Sequence, residues 1–227
     1  MPPRALEPAG VALVDKPAGP SSFAVVSQIR RLTGARTGHA GTLDPFATGL
    51  LLLLSGRSTR IAQYLVGLDK RYTTTVALTG RTTTGDPEGD VVEPLEPPSE
   101  SELERRLAAL RGQIELPIPA ASAVKIGGER AYRLARQGVE VEMPLRRSTV
   151  YALDVIAYTG DAVSLDLRVS SGTYVRAIAH ALGGYCRTLR RTEVGPFDVA
   201  DAVTPDAFDP RRLLPEADVL ARIGVVP

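Results

Sequence analysis

An α+β domain built on a mixed, mostly antiparallel sheet flanked by helices is the fold this sequence predicts, and three patterns predict it. Val163, Leu165, Leu167 and Val169 alternate with Ser164, Asp166, Arg168 and Ser170, which demands a strand with one buried and one polar face. Residues 151 to 158 pair with that strand as a hairpin across Thr159, Gly160 and Asp161. Apolar residues at helical spacing recur between the strands.

Taken in chain order, Val11 to Val14 is a short buried strand. Phe23, Val26, Ile29 and Leu32 then form the stripe of a helix that Gly34 ends. The run Leu50 to Leu54 is a buried strand, and Tyr72, Thr74, Val76 and Leu78 line one face of another. Residues 86 to 98, rich in Pro and Glu, read as a mobile surface connection, the nearest thing to a linker. Ser99 and Glu102 form a capping box opening a helix whose core stripe is Leu103, Leu107 and Leu110. Val175, Ile178 and Leu182 are the apolar stripe of a later helix, leaving Thr173, Arg176 and His180 on its other side.

With 227 residues and 44% hydrophobic content, the chain can bury a sizeable core as one large domain or a domain with an appendage. No apolar run approaches the roughly 20 residues that cross a bilayer, and no secretory leader is recognisable, so a cytoplasmic location is expected. Cys186 is the single cysteine, which excludes an internal disulfide; with only His39 and His180 beside it, a Cys/His zinc site is excluded too. The net charge of +1 hides segregation: residues 1 to 85 carry net +6 and residues 120 to 195 net +4, against net −6 for 86 to 119 and −3 for 196 to 227. A basic face and an acidic back follow, as a nucleic-acid partner requires. Lys16, Lys70 and Lys125 are the only lysines among 27 basic residues. The guanidinium fork suits phosphate, though a G- and C-rich genome would favour arginine equally. Arg130, Arg133 and Arg136 fall at spacing three, along one side of a short helix.

The densest chemistry lies in residues 38 to 49, Gly-His-Ala-Gly-Thr-Leu-Asp-Pro-Phe-Ala-Thr-Gly. Gly38, Gly41 and Gly49 permit backbone geometries closed to other residues, and Pro45 restrains Asp44 to an extended conformation. A stiff loop carrying one histidine and one carboxylate, anchored by Leu50 to Leu54, is a candidate catalytic loop. Gly80 to Gly85 has phosphate-loop glycine spacing, but Asp86 and Pro87 stand where Lys and Ser/Thr are needed, so that match is rejected.

The loop resembles the signature of the tRNA pseudouridine synthases that modify uridine 55 in the T loop. Five further blocks resemble the same family in order: Val14 to Ser22; Lys70-Arg71-Tyr72; Ser122 to Lys125 with Gly128 to Arg136; Ser171 to Arg176; and Leu189-Arg190-Arg191 followed by Val194 to Phe197. The resemblance implies the pseudouridine synthase fold, no cofactor or metal, and the T stem-loop of tRNA as partner, with no obligatory protein partner and a monomeric chain.

It also implies residues. Asp44 becomes the essential carboxylate, and whether it attacks the sugar, attacks the base or removes a sugar proton stays open. Arg176 would keep Asp44 charged, and Tyr72 would stack on the uracil and take part in proton transfer at C5. The target base must be extruded from a folded loop, and His39 is placed to fill the space left behind. Lys16 with Pro17 would form the floor of the site. Lys125, Arg130, Arg133 and Leu189 complete the substrate-binding set, while His180 has no role.

Residues 1 to 200 are read as the catalytic domain, with an RNA-gripping insertion at about 117 to 147. Residues 201 to 227 are read as a short extension with no room for the small RNA-binding domain that many bacterial members append. Residues 181 to 188 look shorter than in the family. Two rival readings remain: a non-catalytic RNA-binding or RNA-folding protein using the same basic face, and a carboxylate-dependent glycosidase, which would release free uracil.

Overall fold

A computed structural model describes residues 8–122, 124–126, 129–130 and 142–225. The chain divides into two compact units, Met1–Tyr72 with Arg190–Pro227 and Thr73–Leu189.

The first unit begins with β1 (Gly10–Lys16), α1 (Ser22–Thr33), β2 (Thr37–His39) and β3 (Thr48–Ser55). β1 and β2 both pair antiparallel with β3, and the chain returns so that Arg190 and Arg191 run parallel to Thr48 and Gly49. The sheet is therefore mixed, and its central strand, the leucine run, is almost wholly buried. Ser21 caps α1 by accepting from the Ala24 N–H, and Gly34 closes it in the left-handed conformation. The expected apolar stripe is shifted: Val25, Val26 and Ile29 are buried, whereas Phe23 is 74% exposed and Leu32 also faces solvent. Three-residue spacing drifts around a helix of 3.6 residues per turn, so its outer members leave the core face.

Residues beyond Phe197 pack onto this same unit. Val203 bridges Val14, Leu214 bridges Val11, and α5 (Glu216–Arg222) delivers Val219 and Leu220 into the core around Leu50, Leu52 and Leu54.

In the second unit, β4 (Lys70–Ala77, entering from the first) neighbours β11 (Ala162–Val169), which pairs antiparallel with β10 (Leu145–Tyr158), which pairs antiparallel with β7 (Gly112–Pro117). The alternation in β11 is realised, with Val163, Leu165, Leu167 and Val169 buried, and the hairpin turns where expected, Tyr158 opposite Val163. Ser99 caps α3 (Glu100–Ala109) by accepting from the Glu102 N–H, and Leu103, Leu107 and Leu110 are buried. The Glu102 carboxylate pairs with Arg105 and Arg106.

Two expectations are corrected here. Residues 86 to 98 are no linker: β5 (Gly80–Thr82) pairs with β6 (Val91–Pro94), and Asp86, between them, is buried. Arg130 lies in a two-residue strand paired with Lys125–Ile126 rather than on a helix; Arg133 and Arg136 lie outside the described residues.

The short segment 181 to 188 works through its glycines. α4 (Val175–Ala181) ends, and Gly184 then sits so close to Ala77 that a Cβ would collide with the Ala77 carbonyl oxygen, which lets the chain turn directly into β12 (Tyr185–Val194). Gly49 meets the same constraint in the first unit: its φ is +103°, and a Cβ there would strike the main chain of Arg191. Gly38, by contrast, sits in β2 without a left-handed angle.

Gly49→Ala is expected to lower stability by about 3 kcal/mol or more, combining left-handed strain with a backbone collision. Gly224→Ala, with φ +72° and nothing within 4 Å of its Cβ, should cost only about 1 kcal/mol. Denaturant titration of both variants checks the difference.

Candidate active site

Asp44 lies in the turn between β2 and β3, half-buried, and both of its neighbours are pinned. The Ser22 hydroxyl donates to the Leu43 carbonyl (2.8 Å) and accepts from the Leu43 N–H (2.8 Å). On the other side the Pro45 carbonyl accepts from the Lys16 ammonium (3.0 Å) and from the Gly19 N–H (2.9 Å). The Asp44 carbonyl itself accepts from the Ala47 N–H at 3.2 Å, closing a tight turn. The carboxylate is thus presented from a backbone fixed at three successive residues.

Lys16 is fully buried and also donates to the Pro17 carbonyl at 2.8 Å. Its ammonium is thus directed at two loop carbonyls. Beneath the preceding residues lies Arg191, 1% exposed, whose guanidinium donates to the carbonyls of Leu50 (2.7 Å), Gly41 (3.1 Å) and Thr42 (3.4 Å). Sequence reading gave Arg191 no role, because an arginine beside another arginine reads as surface charge. Its neighbour Arg190 does behave that way, in a bidentate pair with Asp15 (2.8 and 3.1 Å).

His39 ends β2, five residues before Asp44, with its Nδ1 buried and without a hydrogen bond. Burial, and secondarily the Arg191 charge, hold its imidazole below the ordinary value, so the ring is neutral near pH 7. Tyr72 is buried in β4, on the face that carries Thr74 and Val76 onward. Two residues before it, Lys70 donates to the carbonyls of Val66 (2.6 Å) and Leu68 (2.5 Å). Burial first, then Arg191, pushes its ammonium down from 10.5 to about 8, opposed by Asp69.

Arg176 belongs to the second unit, in the first turn of α4, and is 3% exposed. Its guanidinium pairs with the buried Asp86 carboxylate (3.4 Å) and donates to the carbonyls of Thr84 (2.7 Å) and Ala121 (3.0 Å). Asp86 is fixed in turn, accepting from the Thr84 hydroxyl at 2.5 Å and the Glu88 N–H at 3.1 Å. The expected connector thus supplies the residue that orients Arg176. Its only sequence signal was a carboxylate following Gly85, discounted there as a failed phosphate loop. A cavity of about 270 Å³ beside Arg176 is lined by Thr84, Ile118, Met143 and His180. Leu189 is buried at the end of this unit; Lys125 and Arg130 occupy the paired two-residue strands, and Arg133 lies outside the described residues.

Among the described residues no cluster of His, Cys, Asp and Glu has the makings of a metal site, and no helix is long and apolar enough to cross a membrane. The arrangement of the first unit is therefore that of a single preset carboxylate on a stiff loop, with buried cations underneath and a neutral imidazole beside it.

Comparison with known proteins bears on this geometry. Residues 30–175 match the family described as "TruB family pseudouridylate synthase (N terminal domain)". The tRNA pseudouridine synthase B of Leifsonia xyli subsp. xyli is 45% identical over 221 residues, covering 90% of this chain and 73% of that protein. Among solved structures, that of a Cbf5-Nop10-Gar1 complex is similar with a TM-score of 0.70 at 25% identity, over 98% of this chain and 68% of that one. A crystal structure titled pseudouridylate synthase shares the fold at TM-score 0.51 and 18% identity, over 96% of this chain and 75% of that one. The fold is that of the pseudouridine synthases.

Two outcomes follow from the buried charges. Asp86→Ala removes a buried carboxylate partner of Arg176 and should destabilise the protein by about 3 kcal/mol in denaturant titration. Lys70 binds its proton less tightly folded than unfolded, so its penalty is full below pH 8 and is relieved as pH rises toward 10.5. Stability of the wild type relative to Lys70→Met should accordingly increase across that window; a difference independent of pH contradicts the burial of Lys70 as a strained cation.

Proposed function

The chain belongs to the TruB family of pseudouridylate synthases, and on that premise we propose that it isomerises uridine to pseudouridine in tRNA, at the T-loop uridine, position 55. The observation that carries this reading is the relationship to tRNA pseudouridine synthase B over nine-tenths of the chain, with the loop that bears Asp44 intact. The reaction breaks the N1–C1′ glycosidic bond, turns the uracil within the site and forms the C5–C1′ bond; C5 loses its proton and N1 gains one, so the product is an isomer of the substrate. No oxidation, hydrolysis or group donation is involved, so neither an energy source nor a cofactor is called for.

In this reading Asp44 is the essential carboxylate, acting on sugar or base. A fixed main chain serves either route, because the attacking group needs no reorganisation once the nucleotide arrives. Tyr72 stacks on the uracil and serves proton transfer at C5, and Arg176 favours the ionised form of Asp44. The extruded base leaves a gap that a neutral His39 ring fills at lower desolvation cost than an imidazolium. Lys125, Arg130 and Arg133 contact phosphates of the T stem-loop, Leu189 packs against the base, and Lys16 holds the floor. Residues 1 to 200 carry the catalytic machinery with its insertion at about 117 to 147, and the residues after them complete the same core through Val219 and Leu220. The chain works in the cytoplasm as a monomer on tRNA alone.

The test incubates the protein with an unmodified tRNA transcript, without metal or nucleotide, then digests the RNA and separates its nucleosides. Wild type should yield pseudouridine mapping to the T loop and no free uracil, and Asp44→Asn should lower the rate by about 10³-fold or more while still binding tRNA. Free uracil would make the protein a glycosidase. Binding by both proteins with product from neither would make it an RNA-binding protein. Independently, tRNA affinity should fall with salt at a log–log slope of about −2 or steeper, as the phosphate contacts of Lys125, Arg130 and Arg133 demand; affinity indifferent to salt contradicts the phosphate contacts.

A further inference from the structure

Arg191 is a cation with an unusual set of partners. It is buried to 1% exposure, makes no ion pair with a carboxylate among the described residues, and spends its guanidinium on the carbonyls of Gly41, Thr42 and Leu50. Its main chain is held as well, running parallel to β3 with Arg191 opposite Gly49, whose missing Cβ permits the approach. Burying an uncompensated charge is costly, and an apolar residue would fill the volume without that cost. What an apolar residue cannot do is satisfy carbonyls on both sides of the loop. Gly41 and Thr42 lie outside any strand, so those carbonyls need a donor from elsewhere. A planar fork with donors spread along two edges reaches three of them at once, whereas an ammonium donates from a single point.

We propose that Arg191 is a positioning residue of the reaction: its fork locks the segment carrying His39 and Asp44, so that base extrusion and attack both start from a preset loop. The inference rests on the reading of Asp44 as the reactive carboxylate. It also gives Arg191 a second effect, since the same charge adds to burial in keeping His39 neutral.

Arg191→Lys keeps the charge and loses the fork; Arg191→Met loses both. With Arg191→Lys, single-turnover pseudouridine formation should fall by about 10- to 100-fold while tRNA affinity stays within about threefold, the pattern of lost positioning rather than lost binding. The chain has two histidines, so NMR titration resolves His39 with His180 as internal reference. His39 should keep its low midpoint in Arg191→Lys and move upward in Arg191→Met, with His180 unmoved. Wild-type turnover by Arg191→Lys, or an equal loss of rate and affinity, overturns the proposal. If Arg191→Met does not fold, Arg191→Lys decides alone. If the wild type itself forms no pseudouridine, the functional reading fails separately, and amide exchange still tests the clamp: faster exchange at residues 41 to 50 in Arg191→Lys supports it, and unchanged exchange overturns it.

Discussion

Between β2 and β3 the segment that carries Asp44 leaves the sheet, and its main-chain carbonyls then lack ladder partners. The first unit meets this constraint with buried cations. Lys16 takes the carbonyls of Pro17 and Pro45, Arg191 takes those of Gly41, Thr42 and Leu50, and Ser22 ties both main-chain groups of Leu43. Much else in the unit serves this arrangement. The leucine run of β3 supplies the apolar bed, Gly49 admits the Arg191 backbone, and Lys16 sits at the end of β1, opposite Gly49 in the sheet register. Burial first, and the Arg191 charge second, lower the basicity of His39 and Lys70.

The second unit solves a parallel problem with the opposite charge. Arg176 is buried, the turn between β5 and β6 contributes Asp86 to pair with it, and its two terminal nitrogens donate to the carbonyls of Thr84 and Ala121. Through the Ala121 carbonyl, Arg176 is tied to the segment that follows β7 as well as to its own helix. The buried cations Lys16, Arg191 and Arg176 are therefore oriented by hydrogen bonds to main chain, which a packed apolar core keeps dry and strong.

Elements with strong periodicity were legible in the sequence: the alternation of β11, the hairpin into it, the capped α3 and the leucine run all lie where residue pattern places them. The turn around Asp44 was legible too, because glycine, proline and a lone carboxylate are local signals, but the ends of the 38 to 49 segment lie in β2 and β3. What was not legible depends on long-range pairing. Arg191 looks like Arg190 in sequence, yet one is sealed under the loop and the other pairs with Asp15 at the surface. Asp86 sat in a stretch whose Pro and Glu content imitates a linker, and only the β5–β6 pairing brings it inward. The burial of α1 was misjudged for a simpler reason: exact three-residue spacing departs from helical periodicity over the roughly two and a half turns from Phe23 to Leu32, so both rotate out.

Whether the loop is preset before RNA arrives is decided most directly by amide hydrogen exchange in the free protein. If buried donors hold the loop, the amides of Leu43, Ala47 and Gly19, which donate to Ser22, Asp44 and Pro45, should exchange about as slowly as those of β3. Exchange at these three positions at the rate of exposed loops, with β3 protected, would show that the loop is ordered only by substrate and that the buried cations do not fix it.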